Sequence, residues 1–247
     1  MNLALNSPPN IAYPLIMLLA IVSGAVLLRF TQTKLPLRWW EKVGLGIGAF
    51  CGGMIGAKLP FVFADLEGLR SGHAWFANGK TIMCGLVGAY LGVEIAKWTL
   101  NIRVRTGDSF AVPAAVAIGI GRIGCFVGGC CYGAPTTLPW GVRFSHEDLP
   151  RHPTQLYETA FHFTMAVVLW QLQRRGLFRG QLFKLYLIAY LLYRFASEFL
   201  RPEARLWLDL TGYQWAALLL LPLFACLWWR DAQRYGCDTA HPELRGS

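Results

Sequence analysis

"AVPAAVAIGIGRIGCFVGGCCYG", residues 111–133, is a run of small and apolar residues broken by one arginine, Arg122, and closed by cysteines and glycines. What that arginine does depends on whether the segment lies in water or in lipid. The 247 residues are 55% hydrophobic and 15% charged, against about 25% charged in a soluble domain. The chain is therefore short of the polar surface needed to face water. A bilayer span takes about 20 mostly apolar residues at about 1.5 Å rise each. Seven such stretches can be read, at about 11–30, 43–63, 81–98, 109–129, 155–173, 180–200 and 212–230. The expected fold is an all-α integral membrane protein, one polytopic domain over residues 1–247 with about seven transmembrane helices and Arg122 inside the fourth.

A formal net charge of +9 raises the question of a nucleic-acid partner, but the distribution of the charge answers it. The first connection holds Lys34, Arg38 and Lys42, the third Lys97, Arg103 and Arg105 against Asp108, and the fifth Arg174, Arg175, Arg179 and Lys184. The even connections are mixed: Asp65, Glu67, Arg70 and Lys80; Arg143, Glu147, Asp148 and Arg151; Arg201, Glu203, Arg205 and Asp209. Basic and balanced connections alternate as the positive-inside rule requires. The N-terminus is expected outside and the C-terminus in the cytoplasm, with no nucleic acid as partner. The first span has no basic segment before it and no small-residue cleavage pattern after it, so it reads as an uncleaved span. Soluble pieces are confined to loops at about 64–80 and 130–154 and a short tail.

Gly44, Gly48, Gly52 and Gly56 recur at every fourth position, a helix stripe without side chains. Gly88 and Gly92 do the same in the third span. Both read as close helix packing in lipid. An ionisable side chain within a span costs roughly 2.5–3.5 kcal/mol on insertion scales, so such residues need a reason. Tyr190, Arg194, Glu198 and Arg201 share one face of the sixth span. "RHPTQLYE" (151–158) brings Tyr157 and Glu158 into the fifth. With Arg122, three spans aim charge at one level, the outer leaflet. The structural alternative is a buried ion-pair network such as Arg194–Glu198, with Arg201 snorkelling to the interface. Two arginines at one depth otherwise form an anion receptor, and a phospholipid headgroup is the anion found there.

"GIGRIG" (119–124) matches a dinucleotide fingerprint in letters only, because it ends a transmembrane span and opens no βαβ unit. Cys125, Cys130 and Cys131 are open to apolar packing, to a disulfide from Cys130 or Cys131 to Cys125 or Cys84 (vicinal Cys130 and Cys131 pair badly with each other), or to catalysis or metal binding. No histidine stands at zinc-finger spacing beside them, and no metal or cofactor is expected. His73, His146, His152 and His162 are scattered, with His152 at the mouth of the fifth span.

These blocks resemble the prolipoprotein diacylglyceryl transferase family. "GRIGCFVGGCCYG" (121–133) is similar to its signature block, "RHPTQLYE" to its HPSQLYE block, and "YRFASEFLRPE" to its sixth-span block of arginine, glutamate and arginine before proline. "GLVG" (85–88) fits the block that follows the family histidine. The resemblance covers most of the chain. It implies transfer of a diacylglyceryl group from phosphatidylglycerol to the lipobox cysteine thiol of a preprolipoprotein, in the bilayer of a bacterial inner membrane, with glycerol-1-phosphate leaving. Such a displacement needs an activated thiol and cations on the departing phosphate. By this resemblance Arg122 holds the headgroup phosphate, Arg194 with Glu198 stabilises the leaving group, and Arg201 guards the exterior mouth. Gly133, His152, Gln155, Tyr157 and Glu158 fall at matching substrate-binding positions. The chain departs from the family at three places: Met83 stands where the histidine is usual, Cys125 where asparagine is, and the family glutamate lies near Cys130. The base is therefore left to His152, Tyr157 or Glu158, and the cysteines raise a covalent lipid intermediate on Cys125 or Cys130. Two alternatives stand beside the main reading: a related transferase with another acceptor, and a non-enzymatic phospholipid-binding or transport protein. A transporter would show inverted-repeat symmetry, and no such repeat is seen.

Overall fold

The computed structural model describes residues 11–33, 35–75, 79–145 and 147–240, so Lys34 and His146 of the sequence reading lie outside it. Among the described residues the chain is helical, with only isolated β-bridges in the loops. The helices are α1 (Ala12–Gln32), α2 (Trp39–Ala64), the short α3 (Leu66–Ser71), α4 (Ile82–Thr99), α5 (Gly107–Val127), α6 (Thr154–Arg174), α7 (Leu182–Ser197) and α8 (Gly212–Ala240). All but α3 coincide with the seven apolar stretches. The expected loop at 64–80 contains α3, whose first turn is capped by the Asp65 carboxylate accepting from the Gly68 N–H at 2.8 Å.

Among the described residues four helices are long and apolar enough to cross a membrane on their own: α1, α2 over Trp39–Phe63, α5, and α8 over Gly212–Gln233. The chain is an all-α membrane protein. The other three long helices carry polar groups instead. α6 holds Gln155, Glu158 and His162, and α7 has 16 residues, about 24 Å at the helical rise against a hydrocarbon core of about 30 Å. The outward faces are apolar: Leu19 in α1, Phe50 in α2, Ile95 in α4 and Leu219 in α8 are all more than half exposed. That surface suits lipid and would be an aggregation hazard in water.

The chain divides into two compact units, residues 32–107 and residues 1–31 with 108–247. In the first, α2 and α4 run antiparallel with their glycines in register. A methyl group at Gly48 would stand 2.6 Å from the Gly92 carbonyl oxygen, and one at Gly52 would collide with the carbonyl of Gly88. The glycine stripe is thus where the two backbones touch. Trp39 and Trp98, both largely exposed, mark the same end of this pair, as interfacial tryptophans do.

In the second unit α1 lies antiparallel to α5. Met17 packs on Gly124, Gly24 on Ala117, and the Thr31 hydroxyl donates to the Ser109 carbonyl at 2.7 Å. The Asp108 carboxylate at the start of α5 accepts from the N–H groups of Gly180 at 2.6 Å and Leu182 at 3.0 Å. It thereby caps the start of α7 and brings α5 and α7 in at one end of the bundle. Lys184, expected in a basic connection, is instead buried in α7 and paired with Asp231 of α8.

Gly52→Val should lower the thermal midpoint of the purified protein, with a cost of about 1–3 kcal/mol or more for overpacking a rigid contact. Gly46→Ala, with nothing within 4 Å of the new methyl, should leave it unchanged or raised. Melting both variants beside the parent in one detergent checks this.

Candidate active site

α6 begins beside Pro153 and places Glu158 one turn in, with only 1% of the residue exposed. Its Oε2 accepts from Arg122 Nη2 of α5 at 2.5 Å and from Arg201 Nη2 at 3.0 Å. Its Oε1 accepts from the Tyr190 hydroxyl of α7 at 2.7 Å. One turn further along α6, His162 sits with Nε2 3.8 Å from Glu158 Oε1. Its Nδ1 lies 2.7 Å from the Tyr186 hydroxyl, and its ring is stacked on Tyr190. Tyr186, Tyr190 and Arg194 succeed each other at four-residue intervals on one face of α7, and these meet His162, Glu158 and Glu198 in turn.

The next turn of α7 carries the Arg194–Glu198 pair at 2.7 Å, buried as the sequence alternative foresaw. Glu198 Oε1 also accepts from the Thr211 hydroxyl at 3.1 Å, and the Arg194 guanidinium lies over the Tyr213 ring at 4.6 Å. α7 stops at Ser197, and a single 3-10 turn (Glu198–Leu200) swings Arg201 inward. Snorkelling is not what Arg201 does: its side chain is 8% exposed and turned onto Glu158.

Three guanidiniums, Arg122, Arg194 and Arg201, thus face two carboxylates, Glu158 and Glu198. The cluster carries one excess positive charge out of water. A buried charge without a partner costs several kcal/mol. Two buried donors in the cluster also lack a hydrogen-bond partner, Arg122 Nε and Arg201 Nε. Buried donors are normally paired, so the arrangement has capacity for an anion, and guanidinium geometry favours phosphate or carboxylate.

The loop between α5 and α6 borders this cluster. Gln155 Nε2 donates to the Cys130 carbonyl at 2.6 Å and the Thr154 hydroxyl to that of Cys131 at 3.0 Å. The Gly133 N–H donates to the His152 carbonyl at 2.8 Å and the Ala134 N–H to that of Leu200 at 2.8 Å. Gly133 is needed for close approach, since a methyl group there would be 2.6 Å from the Leu200 oxygen. His152 and Tyr157 meet outside the cluster: His152 Nδ1 is 3.3 Å from the Tyr157 hydroxyl, which accepts from Trp140 Nε1 at 2.9 Å. Further out, Tyr132 donates to Glu147, and that bond and charge push the phenol pKa up.

The structure therefore brings Arg122, Glu158, Arg194, Glu198 and Arg201 together and leaves Gly133 and His152 in the bordering loop, with Gln155 and Tyr157 in the first turn of α6. Met83 lies in the first turn of α4, 1% exposed, in the other unit. Among the described residues the cysteines are free thiols, so no disulfide joins Cys125, Cys130 and Cys84. Sequence reasoning gave His162 no role and did not single out Tyr186 or Thr211. The i, i+4 spacing of Glu158 with His162, and of Tyr186 with Tyr190, was the signal for the first two.

Residues 5–230 match the family model described as prolipoprotein diacylglyceryl transferase. The phosphatidylglycerol–prolipoprotein diacylglyceryl transferase of Clostridium tetani is 32% identical over 202 residues, 78% of this chain and 81% of that protein. The proteins of the same name from Cupriavidus metallidurans and Cupriavidus pinatubonensis are 34% and 35% identical. They cover 81% of this chain in each case, and 80% and 79% of their own lengths.

Glu158→Gln removes the counter-charge of two buried guanidiniums and should cost about 3–5 kcal/mol. Tyr190→Phe, which removes one neutral donor, should cost about 1 kcal/mol. Denaturant unfolding of the two variants should rank them in that order.

Proposed function

The chain belongs to the prolipoprotein diacylglyceryl transferase family, and on that footing we propose that the cluster around Glu158 takes the phosphate of phosphatidylglycerol. The diacylglyceryl group then passes to the lipobox cysteine thiol of a preprolipoprotein. The observation that carries this reading is the single excess positive charge with two unpartnered guanidinium donors. A phosphodiester carries one negative charge, which that excess matches.

In the reaction the acceptor sulfur attacks the glyceryl carbon and the carbon–oxygen bond to phosphate breaks. Glycerol-1-phosphate leaves with the electron pair. The phosphate passes from a monoanion towards a dianion, so fixed guanidiniums grip it more strongly in the transition state than in the bound lipid. Arg122 and Arg201 hold the headgroup through the Nε donors that Glu158 leaves free. Glu158 serves as their counter-ion and orienting group, since both its oxygens are already engaged. Arg194, held by Glu198, meets the charge that develops on the leaving group. His152, Gln155, Tyr157 and Gly133 shape the loop through which the acceptor peptide approaches.

The chain acts as one polytopic domain of seven spans in a bacterial inner membrane. Its N-terminus lies outside, its C-terminus in the cytoplasm and its site at the outer leaflet. Supporting this, Arg174 ends α6 and Arg175 and Arg179 lie between α6 and α7, at the far end of both helices from Glu158 and Arg194. Trp39 and Trp98 flank the basic Lys42, Lys97 and Arg103 of the other unit.

The test is protein reconstituted in phosphatidylglycerol liposomes with a lipobox peptide, following glycerol phosphate release and peptide mass together. Both products should appear in equal amount. Arg122→Ala should slow both by about 10²–10³-fold, and Arg122→Lys should not restore the full rate, since lysine lacks the planar fork. An alanine variant that works at the parent rate contradicts the assignment.

A further inference from the structure

The reaction needs a thiolate, and this chain has methionine where its family usually has histidine. Met83 takes no proton, and Glu158 is committed to two guanidiniums. Three other groups converge beside Arg122. The Sγ atoms of Cys125, Cys130 and Cys131 all lie within 4.8 Å of one another, with those of Cys130 and Cys131 3.6 Å apart.

Local backbone chemistry explains the convergence. α5 ends with Gly129 at φ 64, its N–H bonded to the Phe126 carbonyl at 3.1 Å and the Cys130 N–H to the Cys125 carbonyl at 3.1 Å. These are the paired bonds of a Schellman stop, which sets the residue after the glycine against the one five positions earlier. Cys130 and Cys125 are those two residues. Cys131 then adopts φ 64, a left-handed conformation that few residues other than glycine take without cause. Gln155 and Thr154 hold the carbonyls of Cys130 and Cys131 in that turn. The side chains are half-buried for Cys125 and Cys130 and exposed for Cys131, so one side of the triad is open.

We propose that these three cysteines bind a zinc ion whose open fourth position takes the acceptor thiol. Tetrahedral zinc with bonds of about 2.3 Å to sulfur sets its sulfurs about 3.8 Å apart, within reach of this triad by small side-chain rotations. Three protein ligands with one open position is the coordination of catalytic zinc sites, and a bound thiol is deprotonated outright. No histidine is needed, and this answers the lack of one at zinc-finger spacing. The inference rests on the transferase reading above. The acceptor thiol replaces a water on zinc, and its proton goes to solvent. The sulfur then forms the carbon–sulfur bond as the carbon–oxygen bond to phosphate breaks. Arg122 lies between the two half-reactions, with Nη2 on Glu158 and Nη1 3.8 Å from Cys125 Sγ. It supports a metal thiolate as an outer partner does.

The experiment uses full-length protein in lipid nanodiscs, purified under reducing conditions, with elemental analysis for zinc and Co(II) loading as the spectroscopic probe. One zinc per chain and a thiolate-to-cobalt charge-transfer band are expected. The band should be lost in Cys130→Ser and Cys131→Ser and kept in Cys51→Ser, an exposed control position. A lipobox thiol peptide should shift the band, and its serine analogue should not. The proposal is overturned by absence of both zinc and band, by a Cys125–Cys130 disulfide in the purified protein, by a band that survives both serine variants, or by a band that the thiol peptide leaves unmoved. If the peptide shifts the band and no glycerol phosphate is released, the zinc site stands and the donor-lipid assignment fails.

Discussion

A carboxylate sealed from water between two guanidiniums and a phenol sets the terms for one whole unit of this protein. Glu158 can stay buried only if Arg122 and Arg201 reach it, and they can stay buried only if it is there. Those residues come from α5, from α6 and from the turn after α7, with Tyr190 of α7 completing the carboxylate's partners. The depth of three helices is therefore tied to one side chain. Asp108 ties two of them again at the opposite end, through the start of α7. The same arrangement leaves one cation more than it neutralises, so what orders the bundle also leaves it the charge that the proposed phosphate would meet. Structure and function share the network here.

Much of this was legible in the sequence. Apolar stretches separated by charged connections became helices, and glycines at every fourth residue became the contact between α2 and α4. Charges at helical spacing in spans that should exclude them became the buried cluster around Glu158. What could not be read was the pairing. From spacing alone Arg194 and Glu198 are neighbours on one helix, and they are paired. Arg122 with Glu158 is a contact between helices, and no periodicity within either reports it. Arg201, read on the charged face of the sixth span, reaches Glu158 through one 3-10 turn after Ser197 and does not snorkel outward. Lys184 was misread as part of a basic connection, because its partner Asp231 lies 47 residues along the chain.

The cysteines are the other place where local sequence and tertiary contact meet. Their closeness follows from how a helix stops at a glycine, a rule that needs only the run from Cys125 to Cys131. It was obscured because the same letters serve small-residue packing equally well. The turn puts the three thiols on one side of Arg122, with Glu158 on the other, the two sides on which the proposed acceptor and donor lipid would meet. In this account the guanidinium is the hinge between thiol and phosphate.

The most direct measurement is of contact between Arg122 and the lipid phosphate. Protein labelled with ¹⁵N-arginine, reconstituted in phosphatidylglycerol bilayers, can be read by dipolar recoupling between guanidinium nitrogen and ³¹P. The account predicts a guanidinium–phosphorus contact that is lost in Arg122→Ala. No such contact, or one unchanged by that substitution, would contradict it.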